Sequence, residues 1–128
     1  METLRLSNLA KTWLIDLDGT IVKHNGYKEG GDELLEGVKE FFERIPKEDV
    51  VVILTSRESK YRDETIRFLE KNDIRFDHII FDLPYGERIL INDMKKSGML
   101  TAYAINKERD EALQISIEMD DDATFSGH

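Results

Sequence analysis

With 128 residues, 40% of them hydrophobic and 35% charged, the chain has the size and balance of one compact globular domain and is too short for two cores. It contains no cysteine, which excludes a disulfide framework, thiolate zinc sites and a cysteine nucleophile and accords with a reducing cytoplasm. The net charge of −9 argues against nucleic acid, whose backbone is bound through lysine and arginine. No apolar run has the length of a signal-peptide core or a membrane span, so the expectation is a cytoplasmic protein with neither a nucleic-acid nor a membrane partner.

In chain order, Thr12–Leu17 (TWLIDL) reads as a short buried strand. The segment DELLEGVKEFFERI spaces Leu34, Leu35, Val38, Phe41, Phe42 and Ile45 by threes and fours, predicting a helix that begins near Glu33 and is closed by Pro46. Val50–Thr55 is a β-branched run without polar alternation, as expected of a central strand covered on both faces. A second helix is predicted at YRDETIRFLEKN, with Tyr61, Thr65, Phe68 and Leu69 on one face. HIIF and RILIN are two further short apolar runs, and Leu100–Ile105 is another strand candidate. Leu113, Ile115, Ile117 and Met119 alternate strictly, which favours a strand over a short helix. Its expected role is ordinary sheet extension. From Lys107 to Asp122 two cations stand against seven anions, the balance of a solvated acidic tail from about residue 118.

Helices alternating with buried strands imply an α/β fold. The expectation is a three-layer α/β/α domain spanning residues 1–128, with a mostly parallel Rossmann-like sheet and its ligand site at the carboxyl ends of the strands. Asp16 and Asp18 stand at such an end, and strand alternation points both the same way. Two anions in one pocket are reasonable if a divalent cation lies between them or if one carboxyl keeps a proton. Oxygen-only ligands point to magnesium. Gly19 lets main chain approach a ligand, and the amides and hydroxyl near Thr20 can then face an anion. Asp18-Gly19 is also a common turn pair, a reading against which the later landmarks weigh.

Those landmarks carry a resemblance. WLIDLDGTIV resembles the first motif of the haloacid-dehalogenase-like hydrolase superfamily, VVILTSR is similar to the second, and RILIND resembles the fourth, in the family's order over roughly Thr12 to Ile105. The resemblance implies a magnesium-dependent phosphatase that hydrolyses a phosphate monoester. Asp16 would be the nucleophile, forming an aspartyl-phosphate, and Asp18 the acid and then the base. Thr55 would hydrogen-bond the phosphoryl group. Magnesium would be held by Asp16, Asp93, Asn92 and Asp18, the last through its main-chain carbonyl. Gly19, Thr20, Ser56 and Arg88 complete the candidates for holding phosphate.

The chain departs from the family at two places. Leu83 occupies the position where the third motif is expected to supply a lysine, and Asn92-Asp93 stands where many relatives carry two acids. Arg57, Arg88 and Lys60 are the candidate replacement cations, with Arg57 first and Arg88 second. The stretches after Asp18 and after Thr55 are too short for an inserted cap, so the site is expected to be open. Either the substrate itself or a partner subunit would then cover it. His24, Tyr27 and Lys28 read as a polar surface flap. A fainter likeness to hydrolases of surface-polysaccharide or nucleotide-sugar metabolism points to a sugar phosphate. The competing readings are a non-catalytic binding or regulatory subunit of the same fold, motivated by Leu83 and Asn92, and a receiver-type signalling domain. The latter is disfavoured because the acids stand on the first strand.

Overall fold

The computed structural model describes residues 2–120. Its elements run β1 (Glu2–Ser7), β2 (Thr12–Asp16), α1 (Val38–Glu43), β3 (Val50–Leu54), α2 (Arg62–Lys71), β4 (His78–Ile80) and β5 (Ile115–Asp120), with single 3₁₀ turns at Gly26–Lys28 and Ser59–Tyr61. They fall into two compact units, one of residues 10–85 with 107–114 and one of residues 2–9, 86–106 and 115–120. Both are built on parallel strands, so the α/β class holds, with two helices and five strands among the described residues. No helix among those residues is long and apolar enough to cross a membrane.

In the unit of residues 10–85 and 107–114, β3 lies between β2 and β4, and all three strands run parallel. β3 is therefore central, as its composition predicts. The register aligns Asp16, Leu54 and Ile80, so the three carboxyl ends finish level. Alternation puts Trp13, Ile15, Val51, Ile53 and Ile79 on one face. There Val51 and Ile53 are fully buried, and the Trp13 ring meets the edge of Phe41 from α1 at 5.7 Å. The opposite face is not closed in the same way, since Leu14 is 50% and Ile80 44% exposed. The expectation that β3 is covered on both faces is corrected accordingly, because Val50 too is exposed.

Helix α1 begins later than the apolar spacing predicts. Leu34 bridges to Val22 and the Leu35 amide donates to the Ile21 carbonyl at 3.0 Å, so both leucines pair with the chain after β2 instead of opening the helix. Gly37 turns the backbone through φ 84° before Val38. Leu113 of the 107–114 segment packs there, 3% exposed, and its amide donates to the Glu36 carbonyl at 2.8 Å. α2 buries Thr65 and Leu69 on the predicted face. At the amino-terminal end of the sheet, buried Asp49 accepts hydrogen bonds from the Trp13 indole at 2.9 Å and the Lys11 amide at 3.1 Å.

In the second unit β1 and β5 form a two-stranded parallel ladder that pairs Leu4 with Ile117 and Leu6 with Met119. The β5 strand is as predicted from Ile115 onward, but Leu113 lies outside it and β5 belongs to a separate two-stranded sheet, which corrects the expected extension of the main sheet. It pairs with β1, where Leu4 and Leu6 alternate with polar neighbours. RILIN and Leu100–Ile105 are not strands, which corrects both expectations. Ile89 and Ile91 are 82% and 91% exposed. This stretch closes on itself: the Asn92 amide donates to the Thr101 hydroxyl at 2.9 Å, and the Gly98 amide donates to the Lys95 carbonyl at 2.9 Å. The same Asn92 side chain also donates to the Thr101 main-chain carbonyl at 3.2 Å, a group that a ladder would need. Of the expected acidic tail, residues 118–120 belong to β5 and residues 121–128 lie outside the described residues.

A side chain at Gly37 meets two obstacles, a positive φ and the main-chain carbonyl of Leu113 against its Cβ. Gly37→Ala is expected to lower the unfolding free energy by about 2–3 kcal/mol. Gly30→Ala, where φ is also positive but nothing lies within 4 Å, should cost only about 1 kcal/mol. Urea denaturation of the two variants checks the difference.

Candidate functional site

The chain leaving β2 makes a tight loop. The Leu17 carbonyl accepts the amides of Ile21 and Val22 at 2.9 and 3.1 Å, and more distantly that of Thr20 at 3.4 Å, while the Gly19 amide donates to the Val22 carbonyl at 2.7 Å. Leu17, Ile21 and Val22 anchor the loop in the core at 0–1% exposure. Gly19 takes φ 86°, a left-handed angle favouring glycine. Because the Gly19 and Thr20 amides donate within the loop, the outward donor is the Thr20 hydroxyl, which reaches Asp16 Oδ2 at 3.0 Å.

Asp18 is engaged on both oxygens. Oδ2 accepts the Thr55 hydroxyl at 2.8 Å, and Oδ1 accepts Arg57 Nε at 3.0 Å and Nη2 at 2.9 Å. Thr55 ends the central strand, fully buried, and its oxygen also accepts the Arg57 amide at 3.0 Å. The Arg57 side chain is 1% exposed. Its other edge meets Asp32, with Nη1 to Oδ2 at 3.0 Å and Nη2 to Oδ1 at 2.7 Å, and Nη1 also reaches Thr65 Oγ1 on α2 at 2.9 Å. The Tyr27 ring lies over the guanidinium at 4.0 Å. Burial, the largest single influence, disfavours the charge. The hydrogen bonds and charges of Asp32 and Asp18 outweigh it and raise the Arg57 pKa above its ordinary value. The repulsion that the sequence analysis resolved with a metal or a proton is thus met, at Asp18, by an arginine.

All five N–H groups of Arg57 are used on Asp18, Asp32 and Thr65. In this arrangement Arg57 holds Asp18 and has no donor left for an incoming phosphoryl group. A second cation, Lys107, interacts with Asp16 through its charge. Lys107 is half-buried; burial lowers its pKa, against the charges of Glu111, Asp110, Asp16 and Glu108. Its ammonium donates to the carbonyls of Glu108 and Glu111 at 2.7 and 2.5 Å. The neighbouring Asp110 ties this segment to the loop. Its amide donates to the Gly19 carbonyl at 3.0 Å, and its carboxylate accepts the His24 amide at 2.7 Å.

Ser56 donates to the Pro84 carbonyl at 3.3 Å, and the Leu83 amide donates to the Thr55 carbonyl at 3.2 Å. The loop after β4 therefore clasps the end of β3, with Leu83 beside the Thr55 main chain. Lys60 lies exposed near Glu58. Arg88, Asn92 and Asp93 belong to the other unit, where Asn92 bonds Thr101. Asp32, Thr65, Lys107 and Asp110 were not singled out for this site. Asp32 stands just before the helix expected from near Glu33, and Lys107 and Asp110 lie in a charged stretch whose balance suggests solvation.

The oxygen donors at Asp16 and the Asp18 main chain have the chemistry of a hard divalent cation. The Asp18 carboxylate is committed to Arg57 and Thr55, and no group of three or more His, Asp or Glu side chains among the described residues is arranged to hold a metal. A concavity of about 470 Å³, lined by Val52, Arg62 and residues 76–80, includes neither carboxylate. Compared with protein-family models, curated proteins and solved structures, the chain matches none.

Removing Arg57 leaves two part-buried carboxylates without their cation. Arg57→Met should destabilise the protein by about 3–5 kcal/mol, and adding Asp18→Asn and Asp32→Asn to it should recover much of that loss. Equilibrium unfolding of the single and triple variants provides the comparison.

Proposed function

We propose that the chain is a phosphoric monoester hydrolase that works through Asp16, with magnesium as its metal and a small phosphorylated molecule, such as a sugar phosphate, as its substrate. The observation that carries this reading is the arrangement of the two carboxylates on one tight loop at the carboxyl end of a parallel sheet. Asp16 is bonded to the Thr20 hydroxyl, and Asp18 is held separately by Thr55 and Arg57. Different partners suit the two acids to different tasks.

In this mechanism an Asp16 oxygen attacks phosphorus as the ester P–O bond breaks. Asp18 gives a proton to the leaving alkoxide through Oδ2, the oxygen bonded to Thr55 and not to Arg57. Asp18 then takes a proton from water, whose oxygen attacks the aspartyl-phosphate and releases inorganic phosphate, returning Asp16 to its carboxylate. Lys107 supplies positive charge on the Asp16 side, the part that Leu83 cannot play. Asp16 and the Asp18 carbonyl would hold the magnesium, which would supply charge neutralisation to the phosphoryl group.

The same reading takes the fold as a three-layer α/β/α type, for which the exposed apolar face at Leu14, Val50 and Ile80 offers ground for a second helical layer. It takes the site as capless, the location as cytoplasmic and the lid as the substrate or a partner subunit. The engagement of both Asp18 oxygens favours one second reading, a phosphate-binding or regulatory subunit that binds its ligand with magnesium and does not turn it over.

Purified protein with magnesium and a panel of phosphate esters should show turnover that a chelator removes and that Asp16→Asn lowers by roughly three orders of magnitude or more. Lys107→Met should lower it at least about ten-fold. Magnesium-dependent binding without turnover would select the second reading, and activity that survives Asp16→Asn would overturn the proposed mechanism.

A further inference from the structure

Arg57 presents two edges, and the mechanism above uses only one. The Nε and Nη2 edge meets Asp18, and the Nη1 and Nη2 edge meets Asp32 in a two-point contact at 3.0 and 2.7 Å. The Asp32 side chain is 8% exposed. It lies on the excursion between the Asp18 loop and α1, the stretch whose Tyr27 also covers the guanidinium face at 4.0 Å and meets the Tyr61 ring edge-on at 4.8 Å. A guanidinium is planar, so fixing one edge in a two-point contact fixes the plane in which the other edge meets its partner.

We propose that Asp32 is a positioning residue for proton transfer: it locks the plane of Arg57, with Tyr27 as backing, and so sets the orientation of the Asp18 carboxyl toward the leaving group. The inference rests on the reading of Asp18 as the general acid. Without Asp32, Nη1 keeps only Thr65 as an acceptor and the guanidinium can turn about its long axis. The pair of donors on Asp18 Oδ1 then turns with it. Asp32 touches no substrate and acts only through Arg57.

A positioning role in proton transfer leaves a signature that a general loss of structure does not. Esters with poor leaving groups depend on the acid, and those with good leaving groups hardly do. In Asp32→Asn, kcat/KM for an alkyl phosphate should fall at least about ten-fold, and that for p-nitrophenyl phosphate by less than about three-fold. Equal losses on both esters, or no loss on either, would overturn the proposal. If Asp32→Asn does not fold, Tyr27→Leu should show the same selective loss at smaller size. A readout independent of turnover is the hydrogen exchange of the Arg57 Nε–H by NMR, slow in the parent protein and faster in Asp32→Asn. Unchanged exchange sinks the clamp and leaves the phosphatase reading standing. Slow exchange in a parent protein that hydrolyses no ester, with faster exchange in Asp32→Asn, supports the clamp and defeats the phosphatase reading instead.

Discussion

A single buried cation, the Arg57 guanidinium, holds the carboxyl end of the three-stranded sheet together. Removing an ion from water costs several kcal/mol even after relaxation, and this cluster buries the guanidinium almost completely between two part-buried carboxylates. What offsets that cost is complete pairing. Five charge-assisted or hydroxyl contacts use every N–H of Arg57, Thr65 passes its own proton to the Tyr61 carbonyl at 2.8 Å, and Thr55 bridges Asp18 to the Arg57 main chain. No buried side-chain polar atom among the described residues lacks a partner. The cluster joins four separate stretches, the Asp18 loop, the Asp32 excursion, the end of β3 and α2, so the geometry of each depends on the others.

The loop that carries the acids is supported from the outer side as well. Asp110 bonds the Gly19 carbonyl and the His24 amide, Arg109 packs where a Gly19 side chain would lie, and Leu113 seals the turn at Gly37. A segment far along the chain thus braces both the acidic loop and the start of α1. The two acids meet different surroundings as a result. Asp18 is locked by an arginine whose donors are all engaged, and Asp16 sits by the Thr20 hydroxyl and within the field of Lys107. Separation of this kind lets two like side chains take unlike roles.

Local pattern was enough to read the elements whose stability is local or whose burial is nearly complete. The apolar spacing of α2 and the alternation at Ile115–Met119 each carry a period that survives folding, and the run at Val50–Leu54 carries the β-branched composition of a strand. The same rule misled where a short apolar run had no partner. Ile89 and Ile91 look like strand residues, yet a strand is defined by its neighbour. Leu34 and Leu35 look helical, and Val22 and Ile21 draw them away.

By itself, the sequence determined the parallel α/β class, the acidic pair at the end of β2 and the glycine that lets the loop turn there. These follow from spacing over a few residues, which fixes side-chain direction and allowed backbone angles. Which charges meet was decided only in three dimensions. Asp32 stands ahead of an expected helix with no role of its own, Thr65 reads as one polar residue on an amphipathic face, and Lys107 as part of a solvated run. Nothing local distinguishes them from surface residues, because electrostatic pairing depends on distance in space and burial, and both arise only when β2, β3, α2 and the 107–114 segment come together.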